Sequence, residues 1–242
     1  MKKNKQYIVI PARMSGSRLP GKPLIKILGK EIIFRVWERC ALVHPKKYIY
    51  IITEDKIIEE FCLDRGINCY NTGKANSAID RVKLFADKFK ADTYINVQGD
   101  EPVINIKDIK KILKYSKKNS DKVIFGKTNC NKKDFYDFSK AKVVCDKNGK
   151  LLYSSRAGIP LSNKGDFVSA ERAIWIYSFN RKALIKYYNF YKKAILEKIE
   201  DNEIIRFLEA DVPVYCINMI GDSWAVDEKK DLDIVKNILL KK

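Results

Sequence analysis

Residues 7–24 read YIVIPARMSGSRLPGKPL, and this stretch decides the fold. The run from Tyr7 to Ile10 is aromatic and β-branched, which is typical of a short buried strand. A polar, glycine-containing segment from Ala12 to Lys22 follows it directly. A strand that ends in such a loop favours an open α/β sheet, in which ligands bind outside the carboxyl ends of the strands.

Outward from this stretch, strand-like and helix-like patterns alternate along the chain. The order β-α-β-α-β predicts a mainly parallel sheet with helices on both faces. In this part, strands are predicted at 48–53, 67–71 and 93–97, and helices at 32–43, 56–65, 79–89 and 106–116.

The alternation changes after Val123. Asn148-Gly149 is a strong hairpin signal inside the later part of the chain. Without an internal repeat or a hinge-like linker, the pattern predicts one α/β domain over residues 1–242, with a β-rich excursion around 125–180. In the whole part of the chain from Val123 onward, strands are predicted at 123–128, 141–145, 151–155, 172–180 and 212–217, and helices at 182–191, 200–210 and 228–240.

The composition is that of a folded chain with a basic surface. Of 242 residues, 46% are hydrophobic and 32% charged, and the net charge is +18. The lysines are spread along the whole sequence, so we expect a solvated basic surface and no nucleic-acid partner. A nucleic-acid-binding protein remains the alternative, and it would need a basic stripe with interleaved aromatic residues. No apolar run approaches the ~18 residues that span a bilayer, and the apolar start is shorter than a secretory signal. We therefore expect a cytoplasmic protein without a membrane partner.

Cysteine and histidine limit the chemistry. None of the six cysteines forms the CxxC pair typical of zinc sites, so reduced core thiols are expected. The sole histidine is His44, in a predicted loop. A Ser-His-Asp or Cys-His nucleophile would have to use that residue. The mechanism is therefore expected to need no histidine.

The loop after the first strand is the first candidate site. Arg13, Arg18 and Lys22 place three cations within ten positions. Arginine offers a forked partner for phosphate and lysine a mobile charge, which together suit a triphosphate. Gly16 and Gly21 let the backbone approach a ligand closely. The loop matches neither a P-loop nor a GxGxxG fingerprint. An ordinary basic loop with turn glycines explains the spacing equally well.

Two acidic residues are candidate metal ligands. Asp100 follows the predicted strand at 93–97, and Asp227 precedes the last predicted helix. Mg²⁺ prefers hard oxygen ligands and keeps waters and substrate phosphates in its shell. Helix capping is the alternative role for each carboxylate. Sequence spacing does not show whether the two residues meet.

Four motifs together resemble one family. IPARMSGSRLPGKPL at 10–24, VQGDEP at 97–102, KVVCDKNGKLLYSSRAGIP at 142–160 and WAVDEKKDL at 224–232 are similar to motifs of the 3-deoxy-manno-octulosonate (Kdo) cytidylyltransferases, in the same order. The resemblance covers essentially the whole chain. It implies a fold like that of nucleotide-diphospho-sugar transferases, Mg²⁺ as cofactor, and a homodimer built through the β-rich excursion. It also implies the reaction CTP + sugar acid → CMP-sugar + pyrophosphate, where the acid is Kdo or a Kdo-like acid, in lipopolysaccharide or capsule biosynthesis.

The resemblance assigns roles to residues of both substrates. By position, Arg13, Ser15, Arg18 and Lys22 hold the nucleotide phosphates, Gln98 lies beside the nucleotide, and Asp100 and Asp227 hold the metal. Arg13, Lys22, Asp100 and Asp227 are the catalytic candidates. The acceptor is expected at Arg81, Arg156, Tyr177 and Glu203, with Arg81 and Arg156 paired to its acid group through forked hydrogen bonds.

The chain also departs from the family pattern. Ala78 and Ile79 replace the usual Gly-Thr, Ala173 a histidine, Trp175 a glycine and Ile204 a glutamine. Sites built to bond hydroxyls discriminate strongly through such polar groups. Either Kdo is bound by other residues, or the acceptor is a different acid, such as a nonulosonic acid or a phosphonate. A nucleotide-binding, inactive relative is the third interpretation.

Overall fold

The computed structural model describes residues 4–16 and 18–241. Short single turns occur at Lys22–Leu24, Lys46–Tyr48 and Tyr191–Lys193. The strands are β1 (Gln6–Pro11), β2 (Lys26–Ile27), β3 (Lys30–Glu31), β4 (Ile49–Thr53), β5 (Cys69–Asn71), β6 (Thr93–Val97), β7 (Val123–Cys130), β8 (Lys142–Cys145), β9 (Leu151–Ser155), β10 (Ala170–Phe179) and β11 (Val214–Asn218). The helices are α1 (Ile32–Ala41), α2 (Lys56–Asp64), α3 (Ala78–Lys88), α4 (Ile106–Lys118), α5 (Lys132–Tyr136), α6 (Arg181–Phe190), α7 (Leu196–Glu200), α8 (Ile205–Glu209) and α9 (Lys229–Leu240).

One mixed sheet organises the molecule. Its main order is β11-β7-β10-β6-β1-β4-β5, and β8 and β9 extend it beside β10. Strand β1 is parallel to β4 and β6, and β11 is parallel to β7, whereas β10 runs antiparallel to both β6 and β7. The prediction of a mainly parallel sheet is therefore confirmed, with β10 as the antiparallel insertion between its two parallel parts.

Successive side chains along β1 point to opposite faces of the sheet and pack into two separate cores. Tyr7 and Val9 belong to a cluster on one face, with residues of α3, α6 and α8. Ile8 and Ile10 belong to a cluster on the other face, with residues of α1, α2 and α4. This split follows from the period of two along a strand. The predicted helical layers on both faces are present, and they leave the strand ends open.

The β-rich excursion forms as a hairpin on β10. Strand β8 pairs with β10 through Glu171↔Val143 and Arg172↔Lys142, and with β9 on its other side. Gly149 has a φ of 80° in the connecting loop, a conformation that favours glycine. The hairpin predicted at Asn148-Gly149 is thus confirmed.

The helix predicted at 200–210 is wrong. The chain forms two short helices there, α7 and α8, on either side of Asp201. Asp201 ends α7 in the left-handed region, with a φ of 46°. This break places the side chains of Asp201, Asn202 and Glu203 in the wall of a cleft. On a continuous helix these three successive side chains would point in directions about 100° apart and would not all face the cleft. The break therefore lets them share one wall.

In residues 4–16 and 18–241, no helix combines the length and the apolar character that crossing a membrane requires.

Candidate active site

A cleft of about 540 Å³ lies at the carboxyl ends of β1 and β6. One end is formed by the loop after β1, the loop after β6 and the segment before α9. The other end is formed by β10, the start of α3 and the α7–α8 segment. Arg13, Arg18, Lys22, Asp100 and Asp227 lie at the first end, and Arg156, Tyr177 and Glu203 at the second, whereas Arg81 lies near Arg13. The lining includes Arg13, Arg18, Lys22, Gln98, Asp100 and Asp227, together with Arg81, Arg156, Trp175, Tyr177, Glu203 and Arg206.

The loop after β1 is held by its own backbone. The amides of Gly16 and Gly21 both donate to the carbonyl of Met14, at 3.0 and 2.9 Å. The Met14 amide in turn donates to Asp55 at 2.8 Å. Gly21 has a φ of 71°, in the left-handed region that favours glycine. The loop is therefore folded back on itself, which presents its cations to the cleft.

Lys22 joins the two predicted metal ligands. Its Nζ donates to Asp100 Oδ2 at 2.6 Å and to Asp227 Oδ1 at 3.4 Å. The same Asp227 oxygen accepts from Arg18 Nη2 at 3.2 Å. The structure thus brings together two carboxylates that are 127 residues apart in sequence, and both face one positive group.

Two contacts join the loop after β6 to the segment before α9. The amide of Val226 donates to the carbonyl of Asp100 at 2.8 Å. The Ser223 hydroxyl donates to the carboxylate of Glu101. Glu101 is buried, and burial raises the pKa of its carboxyl to about 7. These contacts place Asp227 beside Asp100, and neither carboxylate caps a helix, since Asn105 caps α4 and Glu228 caps α9.

The two carboxylates fit a magnesium ion that takes most of its ligands from elsewhere. Their side chains are 29% and 40% exposed, so substrate oxygens and water can reach them. Within the described residues, no group of three or more His, Cys, Asp or Glu side chains is arranged to hold a metal. Mg²⁺ commonly uses one or two protein carboxylates and completes its shell with waters and phosphates. The ammonium of Lys22 shows that one cation can contact both.

The remaining nucleotide candidates differ in whether they line the cleft. Arg13 is exposed, lines the cleft and forms no ion pair with any described residue. Gln98 lines the cleft, as Tyr177 does. Ser15 lies on the same loop but is not among the lining residues. The structure therefore brings Arg13 and Gln98 into the cleft and leaves Ser15 outside it.

Arg81 faces the cleft with its guanidinium already bonded. Its Nη1 donates to Thr72 Oγ1 at 2.6 Å and to the Gly73 carbonyl at 3.0 Å, and Nη2 pairs with Glu54 at 3.5 Å. The side chain is 4% exposed. Arg81 therefore holds Thr72 and Gly73, which follow β5, in place. The sequence instead predicts a guanidinium that is free to pair with an acid group.

Arg156 departs from its predicted role in the same way. Its Nε donates to the Glu200 carbonyl at 3.0 Å, and Nη2 to the Asp201 carbonyl at 2.9 Å. Nη1 contacts the carbonyls of Phe138 and Ser139 at 3.2 and 3.3 Å. These bonds leave no free fork for an acceptor carboxylate. In the structure Arg156 joins two segments of the cleft wall, and its forked pair with the acceptor stays a prediction.

Tyr177 and Glu203 are the remaining acceptor candidates, and they offer a hydroxyl and a carboxylate to a ligand. Tyr177 is buried and stacks on Phe125 at 4.9 Å between ring centroids. Glu203 Oε1 accepts from the Ala78 amide at 3.0 Å, while its buried Oε2 has no hydrogen-bond partner among the described residues. Burial raises the pKa of Glu203 to about 7. An unpartnered buried oxygen in a cleft wall suits a ligand that donates a hydrogen bond.

The positions that depart from the family pattern are not all in the cleft. Ala173 and Ile204 belong to the buried core and do not line it, whereas Trp175 does. Ile79 is likewise fully buried. Ala173 and Ile204 are therefore core positions next to lining residues, whereas Ala78 and Trp175 line the cleft themselves.

Sequence reasoning missed several lining residues, among them Glu197 and Arg206. Arg206 lies in the segment predicted as a helix at 200–210 and Glu197 lies just before it, so no pattern placed them in the cleft. His44 lies elsewhere, with Nε2 3.0 Å from the Gln6 carbonyl, and is not among the lining residues. A mechanism without histidine therefore agrees with the geometry.

Comparisons with known proteins match this arrangement. The sequence model of the family described as Cytidylyltransferase matches residues 7–217. The chain is 32% identical to a 3-deoxy-manno-octulosonate cytidylyltransferase of Koribacter versatilis, over 97% of this chain and 90% of that protein. It is 29% identical to a solved CMP:2-keto-3-deoxy-manno-octonic acid synthetase complexed with CTP, with a TM-score of 0.88 over 98% and 99% of the two chains. A thymidylyltransferase structure from Bacillus anthracis, 15% identical, shares the fold, with a TM-score of 0.66 over 97% and 95% of the two chains.

Proposed function

The chain belongs to the 3-deoxy-manno-octulosonate cytidylyltransferase family, and on that premise we propose that it makes CMP-Kdo and pyrophosphate from CTP and Kdo. One observation supports this most: Lys22, Asp100 and Asp227 converge in one cleft at the strand ends. Kdo is the proposed acceptor because the relatives that match nearly the whole chain are named for it. A nonulosonic acid or a phosphonate is the alternative acceptor.

The reaction is a displacement at the α-phosphorus of CTP. An acceptor oxygen forms the new bond to phosphorus, and the bond to the bridging oxygen breaks, so pyrophosphate leaves with that electron pair. Such a transfer depends on positioning and on charge neutralisation more than on covalent help from the protein. We assign the charge neutralisation to Arg13, Arg18 and Lys22 on the loop after β1.

Asp100 and Asp227 are the proposed ligands of Mg²⁺. When bound, the ion would polarise the α-phosphate and offset the charge of the triphosphate. The contacts between Val226 and Asp100, and between Ser223 and Glu101, fix the distance between the two carboxylates. Lys22 and Arg18 hold positive charge beside Asp227 and can turn from it to a phosphate, because lysine and arginine side chains are long.

The acceptor is proposed to lie between Tyr177 and Glu203. Glu203 Oε2 is the group with a free acceptor site there, and Gln98 and Tyr177 separate this end from the nucleotide end. Arg81 and Arg156 support the walls through bonds to backbone and to Glu54, rather than binding the acceptor directly.

A homodimer in the cytoplasm is the proposed form of the enzyme. Support comes from the β-rich excursion, in which five large apolar side chains are more than half exposed: Tyr136, Phe138, Leu152, Leu161 and Val168. Apolar surface of this kind is typical of interfaces. The product would serve lipopolysaccharide or capsule biosynthesis.

Pyrophosphate release with each of the four nucleoside triphosphates, with Mg²⁺ and with or without Kdo, tests the proposal. We expect release only with CTP and Kdo together. Release with CTP and another acid, but not with Kdo, would replace the acceptor. No release with any acid, although CTP binds, would instead indicate an inactive relative.

A further inference from the structure

Arg206 lies under the acceptor end of the cleft and is almost fully enclosed. Its side chain is 1% exposed. The Nε and Nη2 atoms donate to the two carboxylate oxygens of Glu197, each at 2.5 Å, and Nη1 donates to Asp80 Oδ1 at 2.8 Å. The guanidinium therefore has a forked partner on one side and a second carboxylate on the other, which fixes its plane.

Aromatic rings enclose the faces of the same guanidinium. Its central carbon is 3.9 Å from the ring centroid of Tyr187 and 4.9 Å from that of Tyr191. An arginine held by carboxylates at its edges and by rings at its faces has little freedom to rotate. Substitution by lysine keeps the charge but loses the fork and the planar stacking.

The Arg206 contacts join separate elements of the acceptor end. Asp80 lies on α3 and Glu197 on α7, while Arg206 itself is on α8. Glu203, three residues before Arg206, bonds the Ala78 amide at the start of α3. The wall that carries Glu203 is therefore fastened to α3 on both sides, once through Glu203 and once through Arg206.

Charge in this cluster is unbalanced. Three carboxylates, Asp80, Glu197 and Glu203, face a single guanidinium. The pKa of Glu203 is raised to about 7, mainly by burial; Glu197 and Asp80 contribute to the rise, and the Ala78 amide and Arg206 oppose it. The hydroxyls of Tyr177 and Tyr187 also face Glu203, and burial raises the pKa of both, so they stay neutral near pH 7. Arg206 is thus the cation that limits how far the Glu203 carboxyl is driven toward its protonated form.

We propose that Arg206 is a positioning residue of the acceptor site, which holds the wall of residues 197–203 against α3 and so directs the free oxygen of Glu203 at the acceptor. The identity of the acceptor rests on the proposed function. The geometry of the Arg206 contacts does not depend on it. Arg206 acts through this wall, because each of its three guanidinium nitrogens already donates to Glu197 or Asp80.

Steady-state kinetics of Arg206→Lys give the first test. We expect the KM for the acceptor to rise about tenfold, while the KM for CTP stays within about twofold, since a lost positioning contact acts on the substrate it positions. Arg181→Met is the matched control. Arg181 pairs with Asp87 at 3.2 Å and joins α6 to α3 outside the cleft, so both KM values should stay at the wild-type level. An equal rise of both KM values in Arg206→Lys would overturn the proposal.

Titration of the Glu203 carboxyl in the ligand-free protein gives the second test. The ¹³C signal of Glu203 is assigned by its loss in Glu203→Gln. We expect the midpoint to move up in Arg206→Met, and to stay near the wild-type value in Arg206→Lys, since only the first removes the charge. An unchanged midpoint in folded Arg206→Met would also contradict the proposal; if that variant does not fold, the Arg206→Lys kinetics decide.

The two tests separate this inference from the proposed function. If the wild type does not use Kdo, the Kdo assignment fails, while the carboxyl titration still decides the role of Arg206. If the wild type uses Kdo and Arg206→Lys behaves like wild type, the proposed function stands and the positioning role is wrong.

Discussion

The ammonium of Lys22 lies between two carboxylates that would otherwise repel each other. Its 2.6 Å bond to Asp100 is part-buried, which makes it stronger than a surface pair, and the 3.4 Å contact to Asp227 is looser. Sequence reasoning found all three residues, because each follows or precedes a recognisable element. It did not show that they meet, since that depends on two loop-to-loop contacts at Val226 and Ser223.

Asp100→Asn tests the metal assignment at the residue scale. We expect turnover to fall at least ~10²–10³-fold, because removing one charge-stabilising group from a transition state typically costs that much. The melting temperature should change little, since Asn keeps the shape and Lys22 keeps Asp227 as partner. The measurement is kcat by pyrophosphate release, with thermal melting alongside. Asp222→Asn, on an exposed residue bonded to Asn105, is the control that should keep full activity. More than a tenth of wild-type activity in Asp100→Asn would contradict the assignment.

Glu203→Gln tests the raised carboxyl pKa through stability. A carboxyl whose pKa is raised from 4.5 to about 7 on folding binds its proton more tightly when folded. This stabilises the fold below pH 4.5 and is lost as the pH rises through 7. Relative to wild type, Glu203→Gln should therefore gain stability between pH 5 and pH 8, by roughly 1–3 kcal/mol. Urea unfolding at the two pH values measures it. If the free energies of unfolding of Glu203→Gln and wild type differed by the same amount at pH 5 and pH 8, Glu203 would titrate normally.

At the scale of elements, strand ends position the nucleotide side and a broken helix positions the acceptor side. The strands and most helices followed from periodicity, including the hairpin at Gly149. The α7–α8 break did not, because Asp201 in a left-handed conformation has no sequence signal of its own. The bonded state of Arg156 could not be predicted either, since its partners are backbone carbonyls from distant segments.

Gly99→Ala tests how closely β1 and β6 must approach at their ends. A Cβ at Gly99 would lie 2.5 Å from the Pro11 carbonyl oxygen and 2.9 Å from Ile33 Cδ1. We expect a loss of about 3 kcal/mol in the free energy of unfolding, since backbone cannot move aside cheaply. The rate should also fall, because Gly99 precedes Asp100.

Gly29→Ala is the matched control for that prediction. Its Cβ would meet no atom within 4 Å, but its φ of 77° costs a non-glycine residue about 1–2 kcal/mol. We expect urea unfolding to show that loss while kcat stays at the wild-type value. If Gly99→Ala also kept full kcat, the tight approach of the strand ends would not matter for catalysis.

At the scale of the whole molecule, surface charge and exposed apolar side chains matter most. The net charge of +18 gives an anionic substrate a favourable field, whatever its origin. The exposed apolar side chains of the β-rich excursion are the support for a homodimer. Oligomeric state was expected from the resemblance alone, and it stays a prediction.

Sedimentation of Leu152→Asp and Val168→Asp tests the dimer. These side chains are 57% and 74% exposed in the excursion. We expect wild type at twice the chain mass, and both variants at the monomer mass, because a buried carboxylate at an interface is unpaired. Leu63→Asp, 80% exposed on α2 and outside the excursion, should remain dimeric. Dimeric Leu152→Asp and Val168→Asp would place the interface elsewhere, and a monomeric wild type would refute the dimer.

The central claim is that this cleft joins a cytidylyl group to Kdo. The most direct measurement is ³¹P NMR of the protein incubated with CTP, Kdo and Mg²⁺. We expect the triphosphate signals to decay while one phosphodiester signal and one pyrophosphate signal grow in equal amounts. Unchanged CTP signals, or pyrophosphate that appears equally fast without Kdo, would contradict it.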